Sequence, residues 1–285
     1  MAAPHVLIFG LGYSGRAIAR DAVKAGLIVT VTSRSPGAGD GFAVIPFNAA
    51  HAAIATATHI IATAAPDEAG DPVLADYGAD IAIAPALRYA GYLSTTGVYG
   101  NRDGGWVDED TAPNPQSPRA HRRVAAEAAW ARLPFAVDIF RLAGIYGPGR
   151  SMFDDLRGGF ARRVVKPGHL FGRIHRDDIA QGVVRAIMQT PKPGLRIFNV
   201  SDDEPAASAD VVVEAARLLR VPPPAPVPFD QAAAAMSPMA LSFWAENRRV
   251  ANAKTKAALG LEWLYPTFRE GLASIFAEEF GQTMR

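Results

Sequence analysis

Short apolar runs alternate with helical patterns through the first half of the chain. Residues 5–9 are continuously apolar and end at a glycine, and a helical pattern follows over residues 13–25. Strands that are apolar throughout, as in VLIF and IVTV, are typical of a parallel sheet covered by helices on both faces. The pattern therefore predicts an α/β fold built on a doubly wound parallel sheet. Further strands are predicted at residues 27–33, 42–46, 59–63, 89–95 and 135–142.

The pattern loosens after about residue 145, where glycine-rich stretches indicate loops that carry function. We expect residues 1–150 to form one domain. Residues 151–285 are expected to form a small lobe and elements that return to the sheet, at approximately 196–220. The remaining predicted elements are helices at 119–132, 208–219 and 267–280, a strand at 196–200, and a proline-rich extended linker at 221–228.

Composition excludes several classes of protein. The 285 residues contain 29 Lys and Arg, 28 Asp and Glu, and no cysteine. The absence of cysteine excludes a disulfide framework, a thiolate zinc site and a cysteine nucleophile, and we expect no metal. A net charge of +1 argues against a nucleic-acid partner. Neither an export signal nor a membrane span is evident, so we expect a cytoplasmic protein without a membrane partner.

A glycine motif, GLGYSG, follows the first predicted strand directly. The first glycine, Gly10, permits a tight turn, Gly12 lets a pyrophosphate approach the backbone, and Gly15 allows the helix to pack on the strand. Tyr13 and Ser14 begin the helix, whose free N–H groups attract anions. The motif predicts a dinucleotide site, which Ala64, after a later strand, is expected to join. The alternative is a turn that merely connects strand and helix.

The end of the second strand indicates which dinucleotide is bound. Arg34 stands 19 residues beyond Gly15, where a fold that binds NAD usually offers an acid to the ribose. No acid occurs before Asp40, and Ser33 adds a hydroxyl. Arginine suits a 2′-phosphate, so the sequence favours NADP over NAD, although NAD remains an alternative. The other interpretation of Arg34 is a solvated loop residue.

Four further motifs occur in a familiar order. They are STTGVYG at 94–100, FRLAGIYGPGR at 140–150, IHRDDIA at 174–180 and FNVSDDEP at 198–205. Together they resemble the NAD-dependent epimerase/dehydratase family of the short-chain dehydrogenase/reductase superfamily. The resemblance implies a Rossmann-type sheet, a dinucleotide cofactor and a small C-terminal substrate-binding lobe. Members of that family mostly act on nucleotide sugars.

The family's catalytic residues are a Ser or Thr, a Tyr and a Lys, and this chain departs from that set. Thr95 matches the hydroxyl position, but Arg119 stands at the tyrosine position and Arg123 at the lysine position. Arginine keeps its proton, so Arg119 cannot act as a titrating phenol. Arg123 retains the ability to bind the nicotinamide ribose. The alternative is a solvated basic helix face on which Arg123 pairs with Glu127.

Both this departure and the GxGxxG spacing resemble the atypical subgroup of the superfamily, in which an Asp tends to replace the tetrad Asn. Asp71 is a candidate for that position.

Asp178 is expected to fix a loop by capping helix N–H groups. His121 is expected on another helix face. We expect substrate contacts from Tyr99, Tyr146, Arg150 and His175, and core positions for Phe243, Trp244 and Trp263.

Two hypotheses for function follow. The first is an oxidoreductase that passes hydride between NADP and a sugar-nucleotide-like or other small alcohol or ketone. Arginines in the site favour an anionic substrate. The second is a dinucleotide-binding sensor or regulatory protein without turnover, because the tyrosine is missing. The resemblance also implies a homodimer formed through the Arg119 helix.

Overall fold

The computed structural model describes residues 3–35, 37, 39–189 and 191–281. The strands are β1 His5–Phe9, β2 Ile28–Ser33, β3 Ala43–Pro46, β4 His59–Ala62, β5 Tyr89–Thr95, β6 Trp106–Val107, β7 Ala136–Leu142, β8 Gly144–Tyr146, β9 Arg163–Val165, β10 Arg173–His175, β11 Gly194–Val200, β12 Pro226–Pro228 and β13 Arg249–Val250. The α-helices are α1 Tyr13–Lys24, α2 His51–Thr56, α3 Pro72–Ile83, α4 Pro118–Trp130, α5 Met152–Arg157, α6 Arg176–Met188, α7 Ser208–Leu219, α8 Phe229–Ala233, α9 Pro238–Ala245, α10 Ala253–Leu259 and α11 Phe268–Phe280.

Seven strands form a parallel sheet in the order β11-β7-β5-β4-β1-β2-β3. The strand order reverses between β1 and β4, which pair in parallel with Val6 opposite His59. A ligand of such a sheet binds in the crevice outside the carboxyl ends of the strands at this switch point. The predicted Rossmann-type, doubly wound sheet is confirmed.

The two faces of the sheet carry separate hydrophobic cores. Val6 and Ile8 share one core with α1 and α6, while Leu7 and Phe9 share the other with α3 and α4. Successive side chains of a strand point to opposite faces, so both faces of β1 are buried. This arrangement explains the continuous apolar run in the sequence.

The second half of the chain contributes to both the sheet and a lobe. β11 forms the edge of the sheet, and α6 packs on α1. In contrast, α7 shares a separate core with α5 and α11. The proline-rich residues 221–228, predicted as a linker, end in β12, which pairs in parallel with β9. Within the described residues, no helix has the length and apolar character needed to cross a membrane.

A buried ion pair joins α4 to the sheet beneath the motif at 94–100. Arg141 on β7 donates to both carboxylate oxygens of Glu127, at 3.2 and 2.8 Å. The Ser94 hydroxyl on β5 donates to the same carboxylate at 2.5 Å. Glu127 therefore pairs with Arg141, and the pairing with Arg123 expected in the alternative interpretation is replaced by this buried contact. The ion pair therefore ties α4 to β7, and the Ser94 hydrogen bond ties α4 to β5.

We expect Glu127→Ala to lower the free energy of unfolding by about 3–5 kcal/mol, because it leaves the Arg141 guanidinium buried without its counter-ion. The double variant Glu127→Leu with Arg141→Met, which removes both charges, should recover most of that loss. Urea unfolding followed by circular dichroism measures both. A single variant within about 1 kcal/mol of the wild type would contradict a structural role for the pair.

Candidate active site

A cavity of about 750 Å³ opens at the carboxyl edge of the sheet, between the β1–α1 turn and the lobe. Its sheet side includes residues of the glycine motif, the end of β5 and the first turns of α4. Its lobe side includes β10 and α9. The residues that line it include Gly12, Tyr13, Ser14, Gly15, Thr95, Arg119, Arg123, Tyr146, Arg150, Arg173, Phe243, Glu246 and Arg248.

The three glycines differ in the reason that each is required. Gly10 has φ +112°, and a Cβ there would lie 2.5 Å from the Thr63 hydroxyl oxygen. A Cβ on Gly15 would overlap the Gly10 carbonyl oxygen. Gly12, in contrast, has only open space where its Cβ would lie. Gly12 also provides no side-chain cap for α1, so the first N–H groups of that helix face the cavity opening without a side-chain partner there.

This arrangement fits the pyrophosphate of a dinucleotide. The open space above Gly12 lets an anion approach the backbone, and the helix dipole favours negative charge at that point. Ala64 follows β4, and its amide nitrogen lies 3.8 Å from the Cβ position on Gly10. Ala64 therefore stands across the switch point from the glycine motif, although it does not line the cavity itself.

The end of β2 presents a cation and no available acid. Ser33 is the last residue of β2, its hydroxyl oxygen accepts from the Ser35 amide at 3.2 Å, and Arg34 beyond it is exposed. Asp40, the nearest acid in the following loop, accepts from Arg20 at 2.6 Å and from Arg16 at 3.3 Å. The Arg20 guanidinium, with Arg16, holds the pKa of the Asp40 carboxyl below its usual range.

Thr95 lies at the end of β5 with its hydroxyl near the cavity. Its oxygen accepts from the Gly97 amide at 3.1 Å and so caps the short 3₁₀ turn Thr96–Tyr99. A hydroxyl has one proton and two acceptor sites, and this bond uses only an acceptor site. Among the described residues no acceptor takes the Thr95 hydroxyl proton, so it is free to be donated to a ligand.

Arg123 is anchored behind Thr95 by residues of β5. One of its terminal nitrogens donates to the Tyr92 hydroxyl at 2.9 Å and to the Leu93 carbonyl at 2.7 Å. Burial raises the pKa of Tyr92 well above its ordinary value, so this phenol stays protonated. No local pattern predicts the contact between Arg123 and Tyr92, because the contact depends on how α4 packs against β5. Three N–H groups of Arg123 are not used by these bonds.

Arg119 lies one turn earlier on α4, at the mouth of the cavity. Its guanidinium carbon stands 4.7 Å from the ring centroid of Phe243 on α9. Within the described ranges no carboxylate pairs with Arg119. Phe243, expected in the core, is 47% exposed and lines the cavity, and Trp244 lines it too. These two expectations were wrong because α9 packs over the cavity; Trp263 is buried as expected.

Two of the expected substrate-contacting residues lie away from the cavity. Tyr99 is fully buried and donates to the Asn199 side-chain oxygen at 2.7 Å, so it cannot reach a substrate as expected. His175 is buried between Tyr146 and Tyr265 and caps α6, accepting from the Asp177 amide at 3.2 Å. Burial lowers the pKa of His175 to about 4, so it is neutral. These geometries contradict the expected substrate contacts.

The carboxylates of two acidic candidates, Asp71 and Asp178, accept hydrogen bonds that stabilise the fold. Asp71 accepts from the amides of Val73 and Leu74 at 3.0 Å, and from the Trp130 indole at 3.1 Å. It caps α3 and does not line the cavity, which argues against the tetrad role. Asp178 accepts from the amides of residues 264 and 265, so it fixes a loop as expected, although the cap of its own helix is His175. His121 is exposed.

Tyr146 and Arg150 both line the cavity, as the expected substrate contacts would require. The Tyr146 ring is largely buried, its hydroxyl donates to the Thr267 carbonyl at 3.4 Å, and burial raises its pKa far above the usual value. This phenol therefore does not supply a readily titrating group in place of the missing tyrosine.

Most of the charged side chains that line the cavity are positive. Of the charged residues that line it in the described part of the chain, five are arginines and one is an acid, Glu246. Glu246 accepts from Arg248 at 2.5 Å, and Arg173 donates to the carbonyls of Phe171 and Ala206 at 3.0 Å. Sequence patterns missed Arg173 and Arg248 because only long-range packing brings them to the site. The surplus of guanidinium groups suits an anionic ligand.

No group of three or more metal-ligating side chains occurs in the part of the chain that the structure describes.

Comparisons with known proteins agree with the fold. A conserved protein of unknown function from Silicibacter pomeroyi is 41% identical, with a TM-score of 0.88 over 98% of this chain and 100% of that one. The human epimerase family protein SDR39U1, solved with NADPH, is 21% identical, with a TM-score of 0.78 over 97% and 100% of the two chains.

A relative of characterised activity matches over a shorter stretch. A 3-diazoavenalumate denitrifying reductase from a Streptomyces species is 31% identical over 185 residues, which is 58% of each protein. The chain therefore matches little more than half the length of that relative. No family model matches the chain.

The open space at Gly12 and the contact at Gly15 predict different effects for two alanine substitutions. Gly12→Ala should leave the thermal unfolding midpoint within about 2 °C of the wild type, because its Cβ meets nothing, but weaken dinucleotide binding by about tenfold or more. Gly15→Ala should lower the midpoint itself, because helix α1 must move away from Gly10. Calorimetry of unfolding and of NADPH binding separates the two. Equal effects of both variants on stability would contradict this division of roles.

Proposed function

Because the chain belongs to one family with the Silicibacter pomeroyi protein, and that family has the NAD-dependent epimerase/dehydratase fold of the short-chain dehydrogenase/reductase superfamily, we propose that it is an NADP(H)-dependent oxidoreductase. Its substrate is a small anionic alcohol or carbonyl compound, of which a sugar nucleotide is one type. The observation that carries the proposal is one cavity that brings together the glycine motif, the Thr95 hydroxyl and the Arg119 guanidinium.

NADPH, when bound, supplies the hydride. The chain's residues hold the cofactor and the reacting oxygen. The N-terminus of α1 above Gly12 binds the pyrophosphate, and Arg123, already fixed on β5, has N–H groups left for the nicotinamide ribose. Thr95 donates its free hydroxyl proton in a hydrogen bond to the substrate oxygen. These contacts align the reacting atoms and lower the entropy that the reaction must lose.

Arg119 has an electrostatic role in this proposal. An unpaired guanidinium stabilises negative charge that develops on the substrate oxygen, and it does so without giving up its proton. The stack on Phe243 holds the guanidinium at the cavity mouth, which limits the reorientation needed in the reaction. The proton that completes reduction then comes from water, because no titrating phenol stands at this position.

A reductive direction is consistent with this arrangement. The curated relative from Streptomyces is named as a reductase, and a reduction needs an electrostatic stabiliser for the incipient oxyanion. Arg173 adds positive charge at the lobe side of the cavity, whereas the charge of Arg248 is balanced by Glu246. Together with Arg119, Arg173 favours a substrate that carries a carboxylate or phosphate.

Preference for NADP over NAD rests on the end of β2. Arg34 is exposed and can approach a 2′-phosphate, while Asp40 is held by Arg16 and Arg20 and is not available to the ribose hydroxyls. Guanidinium groups bind phosphate through two parallel hydrogen bonds, so a single arginine can provide much of the preference.

A second candidate function is a dinucleotide-binding sensor without turnover, and arginine at the tyrosine position favours it. The cavity argues for the enzyme, because its lobe side offers Phe243, Arg173 and Arg248 to a second ligand, which a sensor of the dinucleotide alone does not require.

Arg34→Asp should weaken NADPH binding by about 100-fold, because it removes the phosphate partner and adds repulsion, while NADH binding changes by less than about threefold. Lys192→Asp makes the same change of charge at an exposed loop before β11, on the far edge of the sheet, and serves as the control. Isothermal calorimetry measures all the affinities. Equal losses for both cofactors in Arg34→Asp would overturn the NADP assignment.

Turnover is tested by NADPH oxidation with a panel of sugar nucleotides and small ketones that carry carboxylates or phosphates. For a compound that reacts, Thr95→Val and Arg119→Met should each lower kcat/KM by about 10²-fold or more, because each removes a group that acts on the reacting oxygen. Arg122→Met, one residue from Arg123 and paired outside the cavity with Glu68, should retain full activity.

Activity that survives both Thr95→Val and Arg119→Met would contradict the assignment of these two residues to the active site. Tight NADPH binding with no turnover across the panel would favour the sensor.

A further inference from the structure

One contact joins the glycine motif directly to the lobe. The hydroxyl of Tyr13, the first residue of α1, donates to the carbonyl of Pro148 at 3.0 Å. Gly147 makes this approach possible: its φ is +156°, and a Cβ there would lie 2.5 Å from the Tyr13 hydroxyl oxygen. A larger residue at 147 would therefore push the turn at 147–150 away from the dinucleotide site.

The turn itself is held in a fixed shape. Gly147 and Arg150 exchange backbone hydrogen bonds in both directions, at 3.1 and 3.0 Å. The Gly149 amide donates to the side chain of Glu279 on α11 at 3.0 Å. The backbone position from which Arg150 extends is thus set by α1 on one side and by the lobe on the other.

Two arginines flank the Tyr13 ring, but their charges differ in availability. The guanidinium carbon of Arg176 is 5.2 Å from the ring centroid and that of Arg150 is 5.7 Å. Arg176 donates to Asp177 at 2.9 Å, so its charge already has a partner. Arg150 lines the same cavity as Gly12 and Ser14, and no carboxylate in the described residues pairs with it.

We propose that Arg150 contacts the pyrophosphate of the bound dinucleotide from the lobe side, and that Tyr13 is a positioning residue for it. The proposal builds on the proposed function, which supplies the dinucleotide. In this proposal Arg150 contacts the cofactor, whereas the sequence predicts that it contacts the substrate. The N-terminus of α1 then provides N–H donors on one side of the diphosphate, and Arg150 provides a guanidinium on the other.

The charge of Arg150 and its position beside the glycine motif favour a contact with the diphosphate. A diphosphate carries more negative charge than the partial positive charge of one helix end can balance, so a full cation nearby adds substantially to binding. The flat Tyr13 ring supports the guanidinium and limits its rotamers, which reduces the entropy lost when it binds an anion. Because the turn belongs to the lobe side of the cavity, cofactor binding through Arg150 also fixes one wall of the substrate cavity.

The test compares NADP⁺ with adenosine 2′-monophosphate, which keeps the adenosine and the 2′-phosphate but lacks the pyrophosphate. By isothermal calorimetry, Arg150→Met should weaken NADP⁺ binding by about tenfold or more and leave the affinity for adenosine 2′-monophosphate unchanged. The loss should shrink at high salt, where the charge is screened. Arg150→Lys should recover part of the affinity, and Tyr13→Phe should give a smaller loss of the same kind.

Arg176→Met is the matched control, since Arg176 flanks the same ring but is already paired; it should bind NADP⁺ like the wild type. Wild-type affinity for NADP⁺ in Arg150→Met, with or without a raised KM for substrate, would overturn the proposal while leaving the proposed function intact. A wild-type protein that binds no dinucleotide would instead refute the proposed function. An equal loss for both ligands would show that Arg150 acts on the whole site and not on the pyrophosphate.

Discussion

The close packing of the β1–α1 turn against the end of β4 is the constraint on which the site depends. Gly10, in a left-handed conformation, fits under the Thr63 hydroxyl, which donates to the carbonyls of Phe9 and Gly10 at 3.0 Å. Gly15 fits against Gly10 in turn. Because these contacts fill the space around Gly10 and Gly15, the free volume at the switch point lies above Gly12, at the N-terminus of α1.

A second set of contacts positions Thr95, Arg119 and Arg123 at the cavity. The ion pair of Glu127 with Arg141 fixes α4 against β5 and β7, and Arg123 is bonded to the backbone of β5. Thr95 ends β5 and Arg119 begins α4, so their separation follows from this packing and not from loop conformation. In the proposed function, arginine takes the positions of the family's Tyr and Lys, and its role is charge stabilisation in place of proton transfer.

Much of the sheet could be predicted because its signals are local. An apolar run that ends at a glycine predicted β1, and a further strand pattern predicted β5, both with the bounds that the structure shows; helical periodicity did the same for α7. The glycine motif located one wall of the cavity for the same reason. The partners of β12, the direction of the Tyr99 side chain and the arrival of Phe243, Arg173 and Arg248 at the cavity depend on tertiary packing, and no local pattern encodes them. Motif position near a strand end was misleading for Tyr99 and His175, whose side chains turn into the core.

The proposed function requires that one cavity hold the dinucleotide and place its reactive ring beside Thr95 and Arg119. A crystal structure of the protein with bound NADPH tests this requirement. We expect the diphosphate above Gly12 at the start of α1, and the nicotinamide ring between the Thr95 hydroxyl and the Arg119 guanidinium. A nicotinamide ring directed out of the cavity, or a diphosphate bound away from the glycine motif, would contradict it.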